Sequence, residues 1–248
     1  MVTLTQVTKT FGEFKAVTDL SLNILRGTIY GLIGVNGSGK TTTLKLIVGL
    51  LQPDSGEIWL DGINRLEQPV EARKRLGYAP ETPYLYDYLS GVDYLKFVGQ
   101  VRGLKGETLA QEIQELSDFF DLNNDADHLI RNYSYGMKKK ISMASALIAN
   151  PDFLIFDEPI EGLDIFITEK LKGRLLKAKG AGKTILLASH VLPFVTEICE
   201  RVGILHRGRL VEEISLNSTP AEERTRRLQK IYEKAIGKIP ISSSLSES

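Results

Sequence analysis

Gly34-Val35-Asn36-Gly37-Ser38-Gly39-Lys40-Thr41 follows a short apolar run at 28–33 and precedes a segment with Leu44, Ile47, Val48 and Leu51 at helical spacing. Strand, glycine-rich loop and helix in that order match G-x-x-x-x-G-K-[ST], the pattern of a phosphate cradle. Gly34, Gly37 and Gly39 let the backbone curl so that N–H groups of the loop, Asn36 and Ser38 included, point inward at a helix N-terminus, where the dipole favours negative charge. Lys40 is placed to reach the β- and γ-phosphates of a nucleotide, the Thr41 hydroxyl to ligate magnesium, and Thr42 to add a donor beside it.

Outward from this loop the chain reads as alternating elements. Residues 2–25 show short alternating apolar runs with Gly12 as a turn signal, which predicts antiparallel strands. Residues 53–56 form a turn, 57–60 a strand, and Asp61-Gly62 another turn. From 84 to 132 the strand signal fades and helical spacing takes over at Val92, Leu95 and Val98, then at Leu109, Ile113, Leu116, Phe119 and Phe120. A helix at 136–150, an apolar strand at 153–156, a helix at 167–178 and an apolar strand at 184–188 follow, and such alternation implies a parallel sheet covered on both faces. The expected fold class is therefore α/β, a P-loop core with an antiparallel β edge and an inserted α-helical subdomain. The expected domain is 1–219, with the insertion at about 84–135. A mixed-charge helix and a disordered serine-rich tail are expected in 220–248.

Composition narrows the possibilities. A chain of 248 residues with 42% hydrophobic and 25% charged residues suits one large domain, with or without a subdomain. Thirty-one basic residues balance thirty-one acidic ones, so the overall field does not favour nucleic acid or an anionic membrane. The single cysteine, Cys199, excludes an internal disulfide framework and a cysteine zinc site, and reads as a small buried hydrophobe. No stretch has the length of a signal peptide core or a membrane helix, so a soluble chain that docks on a membrane partner is expected.

A phosphate cradle serves kinases, GTPases and ATPases alike, and the strand at 153–156 discriminates among them. It delivers Asp157 and Glu158 at its C-terminal end, where parallel sheets place their ligands. Asp157 suits magnesium through its water shell. Glu158, one residue on, points elsewhere and is suited to polarising an attacking water.

With these residues in place the chain resembles the nucleotide-binding subunits of ABC transporters from about residue 2 to residue 212. Tyr133-Ser134-Tyr135-Gly136-Met137 stands where the family has its LSGGQ signature, ahead of the acidic strand. Glu161-Gly162-Leu163-Asp164 resembles the D-loop, His190 the switch histidine, Phe11 the aromatic that stacks on adenine, and Glu81 the Q-loop glutamine. Tyr135 replaces a signature glycine, Met137 its glutamine, and Glu81 an amide donor. Such relaxed signatures resemble those of exporter-type members.

The resemblance implies an ATPase with ATP and Mg2+ as cofactors. It implies Lys40, Glu158 and His190 as catalytic groups, and Thr41, Glu81 and Asp157 around the metal. It also implies a homodimer or heterodimer that sandwiches two ATP molecules, each between Lys40 of one subunit and Ser134 with Gly136 of the other. A transmembrane permease subunit would use the resulting motion, at the cytoplasmic face of the membrane and without nucleic acid. Two rival readings make different demands on the sequence. A soluble ABC ATPase acting on DNA or ribosomes would carry long coiled coils, zinc sites or a second cassette; a P-loop kinase or pure sensor would lack the Ser134 region or Glu158. Lys138, Lys139 and Lys140 read as a solvated helix face, Arg224, Arg226, Arg227 and Lys230 as members of intrahelical pairs, and His128 and His206 as structural. Tyr84, Tyr86 and Tyr88 read either as a surface for a partner's helix or as subdomain core.

Overall fold

A computed structural model describes residues 1–123, 125 and 127–237. In chain order the elements are β1 (Val2–Phe11), β2 (Phe14–Ile24), β3 (Ile29–Ile33), α1 (Lys40–Val48), β4 (Ser55–Leu60), β5 (Ile63–Asn64), α2 (Pro69–Lys74), β6 (Leu76–Ala79), α3 (Gly91–Val101) and α4 (Gly106–Phe119). A 3-10 turn (Ile130–Asn132) leads to α5 (Tyr135–Leu147), β7 (Phe153–Asp157), α6 (Ile165–Gly180), β8 (Thr184–Ala188), α7 (Leu192–Ile198), β9 (Arg201–His206), β10 (Arg209–Ser215) and α8 (Ala221–Gly237).

The strands form two sheets, ordered β2-β1-β4-β5 and β10-β9-β3-β8-β7-β6. The first is antiparallel. The second is parallel from β9 to β6, with β10 closing one end antiparallel to β9. Every residue of β3, β7 and β8 is buried, as a sheet covered on both faces requires. Their side chains alternate between two cores. Ile29, Ile33, Leu154, Phe156, Ile185 and Leu187 enter one, together with α5, α6 and α7. Tyr30, Leu32, Phe153, Ile155 and Leu186 enter the other, with Leu4, Val7, Leu20 and Leu22 of the antiparallel sheet. Helix α1 lies in this second core. Its Thr41, Thr42 and Thr43 are weak helix formers, so burial of Leu44, Leu46 and Ile47 holds it, at about 1.5–3 kcal/mol per side chain.

The helical stretch is built from α3 and α4, whose predicted apolar positions Leu95, Leu109, Ile113 and Leu116 are buried. Ser90 caps α3 by accepting from the Asp93 N–H (3.0 Å) and donating to the Asp93 carboxylate (2.8 Å). Residues 84–90 are irregular rather than helical.

The elements without a counterpart in the sequence reading are β5, α2, β6, α7 and the hairpin of β9 and β10. The hairpin turn ties the two sheets to the phosphate loop, because Gly208 N–H donates to the Ser38 carbonyl (2.8 Å) and Thr18 N–H to the Gly208 carbonyl (2.8 Å). Cys199 is buried as expected, against the backbone of Gly31. The arginines of α8 do not make the expected intrahelical pairs. Arg224 reaches the Thr219 carbonyl (3.0 Å), Arg227 the Thr219 hydroxyl, and Thr225 pairs with Thr196 of α7 (2.7 Å) while Leu228 is fully buried. Burial of Leu228 turns the helix face that carries Arg224 and Thr225 toward α7 and the loop before α8. The serine-rich tail lies outside the described residues.

Candidate active site

β3 ends at Ile33, and the loop that follows needs glycine at two points. A Cβ on Gly34 would sit 2.4 Å from both the Leu205 carbonyl and Ser38 Oγ. Gly39 has φ +106°, and a Cβ there would meet the Ala16 carbonyl at 2.5 Å. Gly39 also precedes α1 without a side chain to cap it, which leaves the first helical N–H groups to an anion. Lys40 folds back across the loop, donating to the carbonyls of Gly34 (2.8 Å) and Val35 (3.4 Å). The buried Ser38 hydroxyl has no hydrogen-bond partner among the described residues.

The loop borders a cavity of about 400 Å³ that gathers most of the residues singled out in the sequence: Asn36 to Thr42, Glu81, Asp157, Glu158 and His190. Gly34 contributes its carbonyl to Lys40 from behind the wall. Phe14 and Ala16 of β2 line the mouth, whereas Phe11, paired with Phe14 across the hairpin, stands outside the lining and is 47% exposed. Glu161, the first residue of the D-loop-like segment, lines the cavity as well, and Phe14 was not singled out in the sequence. Ser134 and Gly136 are not in the lining. Ser134 caps α5 by accepting from Met137 N–H (3.3 Å).

Asp157 closes β7 with a buried carboxylate, neither oxygen of which has a hydrogen-bond partner among the described residues. Burial pushes its pKa up to about 6, with Glu81 and Glu158 adding to the rise; the Thr41 hydroxyl, near but outside hydrogen-bond geometry, and Lys139 draw it back. A divalent cation fits such an orphaned acid. Among the described residues no three acidic, histidine or cysteine side chains form a complete metal cage. That donor set suits an ion such as Mg2+, which completes its shell with phosphate and water.

Glu158 turns away from Asp157 because its backbone is left-handed, φ +46°, a conformation that costs a non-glycine residue on the order of 1–3 kcal/mol. Three contacts from the end of β8 hold it there. Oε2 accepts from the Ser189 hydroxyl (3.1 Å) and the His190 N–H (3.3 Å), and Oε1 lies 2.9 Å from His190 Nδ1. Lys40 Nζ is 4.0 Å from the same Oε1. Ser189 escaped the sequence reading, although its place beside His190 at a strand end could have signalled it.

Lys139 corrects the reading of 138–140 as a solvated face. Lys138 and Lys140 do pair with Asp87 and Asp164 near the surface. Lys139 is fully buried, and its ammonium donates to the carbonyls of Pro80 (3.1 Å), Glu81 (2.9 Å) and Asp157 (3.1 Å), with burial holding its pKa below the usual lysine range. Tyr84, Tyr86 and Tyr88 are exposed rather than core, and Tyr86 packs edge-on against Tyr94 and Phe97. Among the described residues no helix is long and apolar enough to cross a membrane.

The chain is similar to several known proteins. A family model described as ABC transporter matches residues 17–161. The chain is 35% identical over 238 residues to the ABC transporter ATP-binding protein NatA of Bacillus subtilis, covering 94% of this chain and 96% of that one. A solved ATP-binding subunit of an ABC transporter superposes with a TM-score of 0.87 at 29% identity, covering 95% and 99% of the two chains. A dimeric ATP-binding cassette in a post-hydrolysis state with ADP and phosphate superposes at 0.82 with 27% identity, covering 88% and 100%.

Proposed function

Because this chain belongs to the ABC transporter family, as an ATP-binding and ATP-hydrolysing subunit that drives transport through a membrane-spanning partner, we propose that Glu158 accepts the proton of the attacking water. His190 and Ser189 hold the Glu158 carboxylate in place, and His190 also reaches toward the γ-phosphate. Lys40 binds the β- and γ-phosphates together with the loop N–H groups of Asn36 to Thr42. Thr41, Asp157 and Glu81 hold Mg2+, which supplies positive charge against the phosphates when bound. Phe11 or Phe14 at the cavity mouth offers an aromatic face to adenine, worth about 1–3 kcal/mol by analogy with other base platforms. The observation that carries this reading is the Glu158 carboxylate, fixed by the end of β8 and facing Lys40 across 4.0 Å.

Ser134 and Gly136 act on the nucleotide of a second subunit, identical or homologous, since they stand at a helix N-terminus away from their own cavity. Closure of the pair on ATP and its opening after hydrolysis supply the motion. The chain works at the cytoplasmic face of the membrane. Exposed Tyr84, Tyr86 and Tyr88, just past Glu81, receive the permease, so a change at the metal side of the cavity reaches the load.

Gentle detergent extraction and pull-down of the tagged native chain should recover a multispanning membrane protein, and Tyr86→Ala should reduce that recovery severalfold. Recovery of ribosomes or DNA-bound proteins alone would contradict the transporter assignment.

A further inference from the structure

Helix α5 grips the Glu81 segment from two positions one turn apart. Tyr135 Oη donates to the Glu81 carbonyl over 3.1 Å, and Lys139 Nζ donates to the same oxygen over 2.9 Å. Spacing of four residues puts both side chains on one face of the helix. The ammonium has three protons, and its bonds to Pro80, Glu81 and Asp157 use all of them. The direct partners of this buried charge are backbone carbonyls, and the carboxylates of Asp157, Glu161, Glu81 and Glu158 favour the ammonium from farther off. The Tyr135 ring meanwhile covers Gly162, where a Cβ would come within 2.7 Å of it. Tyr135 thus fills the place of a missing signature glycine with a contact to each of two loops that border the cavity.

We propose that Tyr135 and Lys139 are positioning residues that fix the Glu81 backbone, and through it the Glu81 carboxylate, opposite Asp157. This inference rests on the reading of Glu81 and Asp157 as metal-holding residues. Lys139, buried on three carbonyls, is the permanent half of the grip. Tyr135, 46% exposed, is the adjustable half, on the helix end that would meet a second subunit.

The test is the Mg2+ concentration that half-saturates tight ATP binding, followed by calorimetry on the full chain. Tyr135→Phe, which removes only an accessible hydroxyl, should raise it about fivefold, the equivalent of one neutral hydrogen bond. Its thermal midpoint and its Mg2+-free ATP affinity should stay at wild-type values. Lys139→Gln should raise the Mg2+ requirement further, and Lys139→Arg, which keeps charge and donors, should recover most of the loss. In a Glu81→Ala background neither Tyr135→Phe nor Lys139→Gln should shift the titration again. A Tyr135→Phe titration that matches wild type, or a shift that persists in full without the Glu81 side chain, would overturn the inference. Asp157→Asn separates the two levels. If it leaves Mg2+ dependence unchanged, the metal assignment fails and the inference with it. If it abolishes that dependence while Tyr135→Phe has no effect, only the positioning role is lost.

Discussion

Glu158→Gln is expected to lower ATP turnover by at least about 10²-fold while ATP binding persists. Glutamine keeps the length and planar end of the side chain, and its amide oxygen can still accept from Ser189 and the His190 N–H. What it loses is the ability to take a proton. The left-handed backbone at this position is set by the turn after β7, where the Glu158 N–H donates to the Ala188 carbonyl (2.9 Å), so the substitution leaves that constraint as it was. Phosphate release in the steady state, measured beside nucleotide affinity, reads the two effects separately. Turnover near the wild-type rate would remove Glu158 from its role and shift attention to His190.

Lys40→Ala is expected to weaken ATP binding about 10- to 100-fold, the loss of one or two charge-assisted contacts, and to bring hydrolysis to background. The chain should still fold. Among the described residues Lys40 donates to the carbonyls of Gly34 and Val35 and faces Glu158 at 4.0 Å at the cavity wall, while the α1 core of Leu44, Leu46 and Ile47 does not include it. Calorimetric titration with ATP, alongside a thermal melt, checks both statements. A folded variant with unchanged binding and turnover would mean that the loop N–H groups alone hold the phosphates.

The phosphate loop was legible because its chemistry is local: glycines, lysine and threonine stand in eight consecutive positions between a strand and a helix. Asp157 and Glu158 were legible for the same reason, as acids at the end of a fully apolar strand. Lys139 was not, because its partners Pro80, Glu81 and Asp157 lie 59, 58 and 18 residues away in sequence, and only the packing of α5 on β6 and β7 brings their carbonyls together. A run of three lysines reads as surface until the fold supplies acceptors for the middle one. The hairpin of β9 and β10 escaped for a related reason. Gly203 weakens the strand pattern, yet a Cβ there would come 2.4 Å from the Tyr30 hydroxyl, so the glycine answers to a neighbour in another strand. At the cavity mouth, sequence reasoning singled out Phe11, and only the hairpin register puts Phe14 in the lining.

Sedimentation velocity of the Glu158→Gln chain with saturating ATP and Mg2+ asks directly whether two cavities and two signature helices close on shared nucleotide. The variant binds ATP without consuming it, so the closed pair should accumulate and sediment as a dimer. Without nucleotide it should sediment as a monomer. Adding Ser134→Arg places a bulky cation where the second subunit's phosphates would arrive, and should return the ATP-bound chain to monomer. A Glu158→Gln chain that stays monomeric at saturating ATP and high protein concentration, or a dimer indifferent to Ser134→Arg, would contradict the sandwich of ATP between Lys40 of one subunit and Ser134 of the other.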